Sequence, residues 1–171
     1  ATHHTAPAVL AAPLEGKTPY ISSGTWSLLG VEQENAHTDE NAMQSGYSNE
    51  GSIGYNFRFQ KNIMGLWMIQ QVRHEVGDKY SFVEIAEMAK ANPIPDEFNV
   101  NDQKFFAPES MIDAINETVG RKLTVGEMAY AIYHNLARYY DLALKELEAV
   151  TGEKYETLNI IGGGSQNKLL N

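Results

Sequence analysis

Cysteine is absent from the 171 residues, which excludes a disulfide framework and any thiolate metal site and fits a cytoplasmic setting. No apolar run approaches the roughly 20 residues that a membrane helix needs, so no membrane partner is expected. Positive charge is scarce: 13 Lys and Arg stand against 22 Asp and Glu, for a formal charge of -9. Non-specific nucleic-acid binding needs a clustered basic surface, and these basic residues are scattered, so no nucleic acid is expected and the acidic excess reads as a solvated face. The opening A-T-H-H-T-A-P-A-V-L has neither a basic n-region nor a long apolar h-region, so no secretory signal is expected. Internal repeats and low-complexity tracts are missing too. What is present, 43% hydrophobic and 20% charged residues, is the composition of an ordinary globular chain long enough for one buried core.

The periodicity predicts an α/β order. Residues 5–12 read as a short helix, and residues 20–23 and 25–31 as two strands joined by a hairpin turned at Gly24. Residues 32–49 are polar and without period, a surface loop. Residues 52–60 alternate through Ile53, Tyr55, Phe57 and Phe59, a third strand. A helical period then runs through Ile63, Leu66, Trp67, Ile69 and Val72 to residue 75, with Asn62 at its N-terminus and Gly77 ending it. Ser81 and Glu84 form a capping box that opens a helix to residue 91, before Pro93 and Pro95. An extended stretch over 96–108 precedes a short helix at 109–118 that follows a proline. Thr124 and Glu127 form a second capping box, opening a long amphipathic helix closed by Gly152. Residues 157–161 read as a short buried strand feeding Gly162, Gly163 and Gly164, and residues 165–170 as the start of another helix.

Two glycine-bearing turns carry the chemistry. Strand, glycines and helix start are what a phosphate or nucleotide site uses, because glycine lets the backbone approach a ligand and helix N–H groups face an anion. G-G-G-S is neither G-x-G-x-x-G nor a P-loop, since it lacks the lysine, and a plain strand-to-helix turn explains it equally well. The turn S-S-G-T-W-S, residues 22–27, crowds hydroxyls and backbone donors that can hold phosphate oxygens in a nest; its serines and threonine can also merely satisfy the hairpin. No metal-ligand set is expected. His3 and His4 are adjacent and would point apart on a helix or strand, and His37, His74 and His134 are isolated. Trp67 and the tyrosines of the long helix are assigned to packing. Nothing in the pattern specifies an oligomeric state.

Four segments in order, S-S-G-T-W-S-L-L-G-V-E (residues 22–32), N-E-G-S (49–52), K-N-I-M-G-L-W-M-I-Q-Q (61–71) and I-I-G-G-G-S-Q-N-K-L-L-N (160–171), resemble the FGGY carbohydrate kinases, within them the rhamnulokinase branch. The resemblance implies an actin-like, ribonuclease-H-like ATPase domain, a mixed β-sheet with flanking helices, of which two close over sugar and ATP. It further implies an incomplete copy: residues 1–18 as an inter-domain segment with the sugar and catalytic motif, and 19–171 as the C-terminal ATP-binding domain, truncated at its end. The missing N-terminal domain would supply most contacts to the ketose sugar.

Carried over by position, Thr25 matches the family residue that contacts ATP phosphates, with Gly24 beside it, and Asn62 and Gln70 match ATP-contacting positions on the following helix. Gly163, between Gly162 and Gly164, matches the position whose backbone lies against the adenosine. His3, His4 and Thr5 resemble the family's H-D-T-A segment, which touches the ketose and holds the catalytic aspartate; here that place is taken by His4. The parent would use ATP with Mg2+ to phosphorylate the 1-hydroxyl of L-rhamnulose, the chain alone being inactive. The rival readings are a kinase for another deoxyketose such as L-fuculose, and a non-catalytic nucleotide-binding or scaffold domain.

Overall fold

The computed structural model describes residues 18–38, 40–52 and 56–171. It divides into two compact units. The expected helix at 5–12 and the alternating residues Ile53 and Tyr55 lie outside the described residues.

The first unit, up to Ile63 together with Tyr140–Ser165, is built on a five-stranded mixed sheet. Its strands are β1 (Tyr20–Ser23), β2 (Ser27–Gln33), β3 (Ser48–Gly51), β4 (Phe57–Ile63) and β5 (Asn159–Ile161). The spatial order is β3-β4-β2-β1-β5, antiparallel throughout except that β5 runs parallel to β1. Helix α1 (Glu40–Gln44) lies in the connection between β2 and β3. Tyr20, Ile21, Leu29, Val31, Phe59 and Ile63 are wholly buried, and at about 25 cal/mol per Å² of apolar surface such residues dominate the stability of a sheet of this size. Gly30 is required mid-strand, because a Cβ there would stand 2.7 Å from Gln60 Cβ on β4. Tyr20 donates from its hydroxyl to Gln60 Oε1 at 3.0 Å across the sheet.

The second unit, Met64–Tyr139 with Gln166–Asn171, is helical. It holds α2 (Trp67–Glu75), α3 (Phe82–Ala91), α4 (Met111–Val119) and a 3-10 turn at Gln103–Phe105. The long helix α5 (Val125–Thr151) contributes its residues up to Tyr139 here and the rest to the sheet unit. Met68, Ile69, Val72, Ile85, Phe105, Met111, Ile115 and Ile132 form the core. The Ser81–Glu84 capping box is present in both directions, and Thr124 Oγ1 accepts from the Glu127 N–H. Asn135, 2% exposed, donates to the carbonyls of Asp96 and Ala131 and accepts from the Phe98 N–H, tying α5 to the extended segment after α3. Among the described residues, no helix is long and apolar enough to cross a membrane.

Four expectations need correction. Asn62 is not at a helix N-terminus: β4 continues through Ile63, in register with β2 back to Ser27, and α2 begins at Trp67. The residues from Ile63 onward satisfy both periods, and sheet pairing decides between them. Residues 32–49 are not all loop, since β2 extends to Gln33, α1 spans Glu40–Gln44 and β3 begins at Ser48. That edge strand is mostly exposed and carries no alternating apolar residues, so it left no period to find. Helix α4 is capped by Ser110 rather than by a preceding proline, with the Glu75 carboxylate accepting from Ser110 Oγ and the Met111 N–H. Residues 165–170 do not open a helix; a single 3-10 turn spans Gly163–Gln166, and Asn167 Oδ1 then accepts from the Leu169 and Leu170 N–H groups.

Candidate functional site

The sheet register places most of the predicted nucleotide residues along one end of the sheet. Ser23 pairs with Ser27, leaving Gly24, Thr25 and Trp26 as a three-residue turn. On one side Ser27 and Leu28 pair with Ile63 and Asn62 of β4; on the other Ser22 pairs with Ile161, the last residue of β5 before the glycines. The C-terminal ends of β1, β4 and β5 therefore converge, the kind of place where ligands sit in open α/β sheets. Thr25 and Asn62 are exposed there.

The three glycines have different physical reasons. Gly162 has φ +87, and a Cβ on it would stand 2.6 Å from the Ser23 carbonyl oxygen; one on Gly164 would stand 1.9 Å from Ser23 Oγ. Both are needed for packing against the stem of the neighbouring turn. Gly163 has nothing within 4 Å of where its Cβ would be, so its backbone is open to an approaching group. The loop is thus both a structural turn and an accessible surface, divided residue by residue. The anion-binding helix start expected here is absent, because the 3-10 turn is four residues long and the Ser165 N–H and hydroxyl both bond back to the Gly162 carbonyl.

Beneath the turn, Ser27 Oγ and the Tyr140 hydroxyl of α5 are hydrogen bonded at 2.6 Å. Burial raises the Tyr140 pKa above its ordinary value, with the Ser27 and Ser23 hydroxyls acting in the opposite direction, so the phenol stays protonated and neutral. Sequence reasoning assigned this tyrosine to packing; a phenol aimed at a buried hydroxyl 113 positions away leaves no trace in periodicity. Tyr47 similarly donates to the Ala143 carbonyl at 2.6 Å, and Lys61 pairs with Glu146 at 2.7 Å, so polar contacts help hold α5 to the sheet.

Gln70 is placed on α2, half-buried, in the helical unit. His3, His4 and Thr5 lie outside the described residues. Among the described residues no group of three His, Asp or Glu side chains is arranged to hold a metal ion. A groove in the helical unit lined by Lys104, Glu109, Asp113 and Glu117 includes none of the predicted ligand residues.

Residues 19–171 match the C-terminal domain of the FGGY family of carbohydrate kinases. The chain belongs to that family. It is 44% identical over 178 residues to a rhamnulokinase of Bacillus subtilis (strain 168), covering all of this chain and 37% of that protein. A rhamnulokinase of Halalkalibacterium halodurans is 41% identical over 176 residues, again across the whole chain and 38% of the relative. The FGGY chain described here therefore spans little more than a third of the length of these curated relatives. Among solved structures, the xylulose kinase from Rhodospirillum rubrum superposes with a TM-score of 0.63 at 13% identity, covering 99% of this chain and 35% of the other. The xylulose kinase from Bifidobacterium adolescentis gives 0.61 at 16% identity, over 97% and 33%. At such identities the likeness speaks for the fold alone, a mixed sheet with flanking helices of the actin-like, ribonuclease-H-like type.

Proposed function

We propose that this chain is the ATP-binding part of a rhamnulokinase-like sugar kinase, whose parent transfers the γ-phosphoryl of ATP to the 1-hydroxyl of L-rhamnulose. The observation that carries the nucleotide reading is the open Gly163 between two glycines packed on Ser23, set beside the exposed Thr25 turn. In this reading the Thr25 hydroxyl and the neighbouring turn donate to phosphate oxygens, the Gly163 backbone lies flat against the adenosine, and the Asn62 carboxamide hydrogen-bonds the nucleotide. Mg2+ comes with ATP and supplies charge neutralisation at the phosphates. Residues 1–18 then serve as the inter-domain segment that reaches the ketose, and a separate N-terminal domain supplies most of the sugar contacts.

Titration of the chain with Mg·ATP tests the site. Gly163→Val fills the open face without touching the Ser23 packing, and it should weaken binding by about tenfold or more, equivalent to about 1.4 kcal/mol. Equal affinity in that variant would remove the adenosine contact from the reading.

A non-catalytic nucleotide-binding role is favoured by His4, which by motif resemblance stands at the place of the family's aspartate. An aspartate there accepts the proton of the attacking sugar hydroxyl; an imidazole, with an unperturbed pKa of about 6.5, differs from it in reach and charge. Restoring His4→Asp in the longer parent should raise kcat in a coupled ADP-release assay with L-rhamnulose and leave ATP affinity nearly unchanged. If both forms fail to phosphorylate any ketose while still binding ATP, the non-catalytic reading replaces the kinase one.

A further inference from the structure

We propose that Tyr140 is a positioning residue for the nucleotide: its phenol, bonded to Ser27 Oγ, holds the Gly24-Thr25-Trp26 turn in the shape that receives phosphate. The proposal rests on the reading that Thr25 contacts ATP, and it adds a residue that the ligand does not touch.

The turn stands on two stem residues, Ser23 and Ser27, which face each other across the hairpin. Both are buried, Ser23 to 1% and Ser27 to 0% exposure, while Thr25 at the apex is exposed. One stem is gripped from the β5 side, where only glycine fits: Gly162 and Gly164 leave no room for a Cβ against Ser23. The other stem is gripped from α5, where the Tyr140 hydroxyl and Ser27 Oγ stand 2.6 Å apart. Tyr140 is itself 6% exposed, so its ring is already buried and a phenylalanine would satisfy the packing equally. A buried hydroxyl pair adds little net stability, because desolvation offsets much of the bond, but it is directional where apolar contact is not. The Tyr140–Ser27 bond therefore sets geometry at the base of the turn more than it holds the fold together. Nearby polar contacts of α5 act further along the helix: Tyr47 reaches the Ala143 carbonyl and Lys61 reaches Glu146, one and two helical turns on.

Amide hydrogen exchange and Mg·ATP titration on the 171-residue chain test the proposal with five variants: Tyr140→Phe, Ser27→Ala, their double, and Thr25→Ala with and without Tyr140→Phe. Tyr140→Phe should speed exchange at Thr25, Trp26 and Ser27 by about 3- to 10-fold and weaken Mg·ATP by a similar factor, the size of one lost hydrogen bond. The amides of β4 should keep their protection. The double variant Ser27→Ala/Tyr140→Phe should be no worse than either single one, because both remove the same bond. In the Thr25→Ala background, Tyr140→Phe should cause no further loss of affinity. Unchanged exchange at the turn in Tyr140→Phe, or an equal loss of affinity with and without Thr25, overturns the positioning role and leaves the nucleotide site standing. If Thr25→Ala alone binds Mg·ATP as tightly as the unmodified chain, the nucleotide reading itself falls, and the positioning role with it.

Discussion

The sheet unit and the helical unit are held in different ways. In the helical unit many of the polar contacts are local: Ser81 with Glu84, Thr124 with Glu127, Ser110 with Asp113. In the sheet unit the polar contacts that matter join residues 40 to 113 positions apart, Tyr20 with Gln60, Tyr47 with Ala143 and Ser27 with Tyr140. Helix caps satisfy backbone groups that the helix itself leaves open, so they recur wherever a helix begins. A sheet end has no such local remedy. Its turns must be braced by whatever element lies next to them, and here the braces are two glycines and one phenol.

The strongest way to break this contrast is Gly164→Ala. Its Cβ would meet Ser23 Cβ at 2.7 Å as well as the hydroxyl, so rotating the serine does not relieve it, and a cost of about 3 kcal/mol in denaturant unfolding is expected. A loss below 1 kcal/mol would show that β5 is free to move away from β1. Asn135→Ala is the counterpart in the helical unit: it takes their side-chain partner from the Phe98 N–H and the Asp96 carbonyl at about 2 kcal/mol. Retained stability there would mean that the segment after α3 is not anchored through this side chain.

Alkali should act on both units. Burial pushes Tyr20 in the sheet unit and Tyr133 in the helical unit from 10.0 up to about 12. A raised tyrosine pKa in the folded state stabilises the fold fully below pH 10 and loses that contribution as the pH rises from 10 towards 12. The loss should be on the order of 2 kcal/mol for each tyrosine by the top of that range. Comparing Tyr20→Phe with Tyr133→Phe across it assigns the alkaline loss to one unit or the other; identical curves for both variants and the unmodified chain would refute the assignment.

The smallest effects sharpen the contrast. Ser81→Ala removes a cap and should cost about 1 kcal/mol. Gly163→Ala, in open space and without a positive φ, should change stability by less than about 0.5 kcal/mol. A larger loss at Gly163 than at Ser81 would mean that the middle glycine also packs.

Legibility in the sequence follows the same division. The Ser81 cap, α5 from its capping box to Gly152, and the β1–β2 hairpin all carry local signals, and all are present. At the candidate site, Thr25 and the glycines were identifiable as turns, and motif resemblance supplied the roles proposed for them. The placement of Asn62 was lost because Ile63 serves both a strand and a helical period, and β3 was lost because an exposed edge strand has no apolar face to alternate.

The sequence by itself determined the capped helices α3 and α5, the hairpin and the glycine loop, because capping, turn geometry and periodic burial are decided within a few residues of where they act. Only the tertiary structure decided that β5 joins β1 in parallel, that Gly162 and Gly164 are there for Ser23 while Gly163 stays open, and that Tyr140 reaches Ser27. Each of these depends on a distance between residues far apart in the chain, and hydrogen bonds and van der Waals contacts are satisfied by such distances, whatever the separation along the backbone.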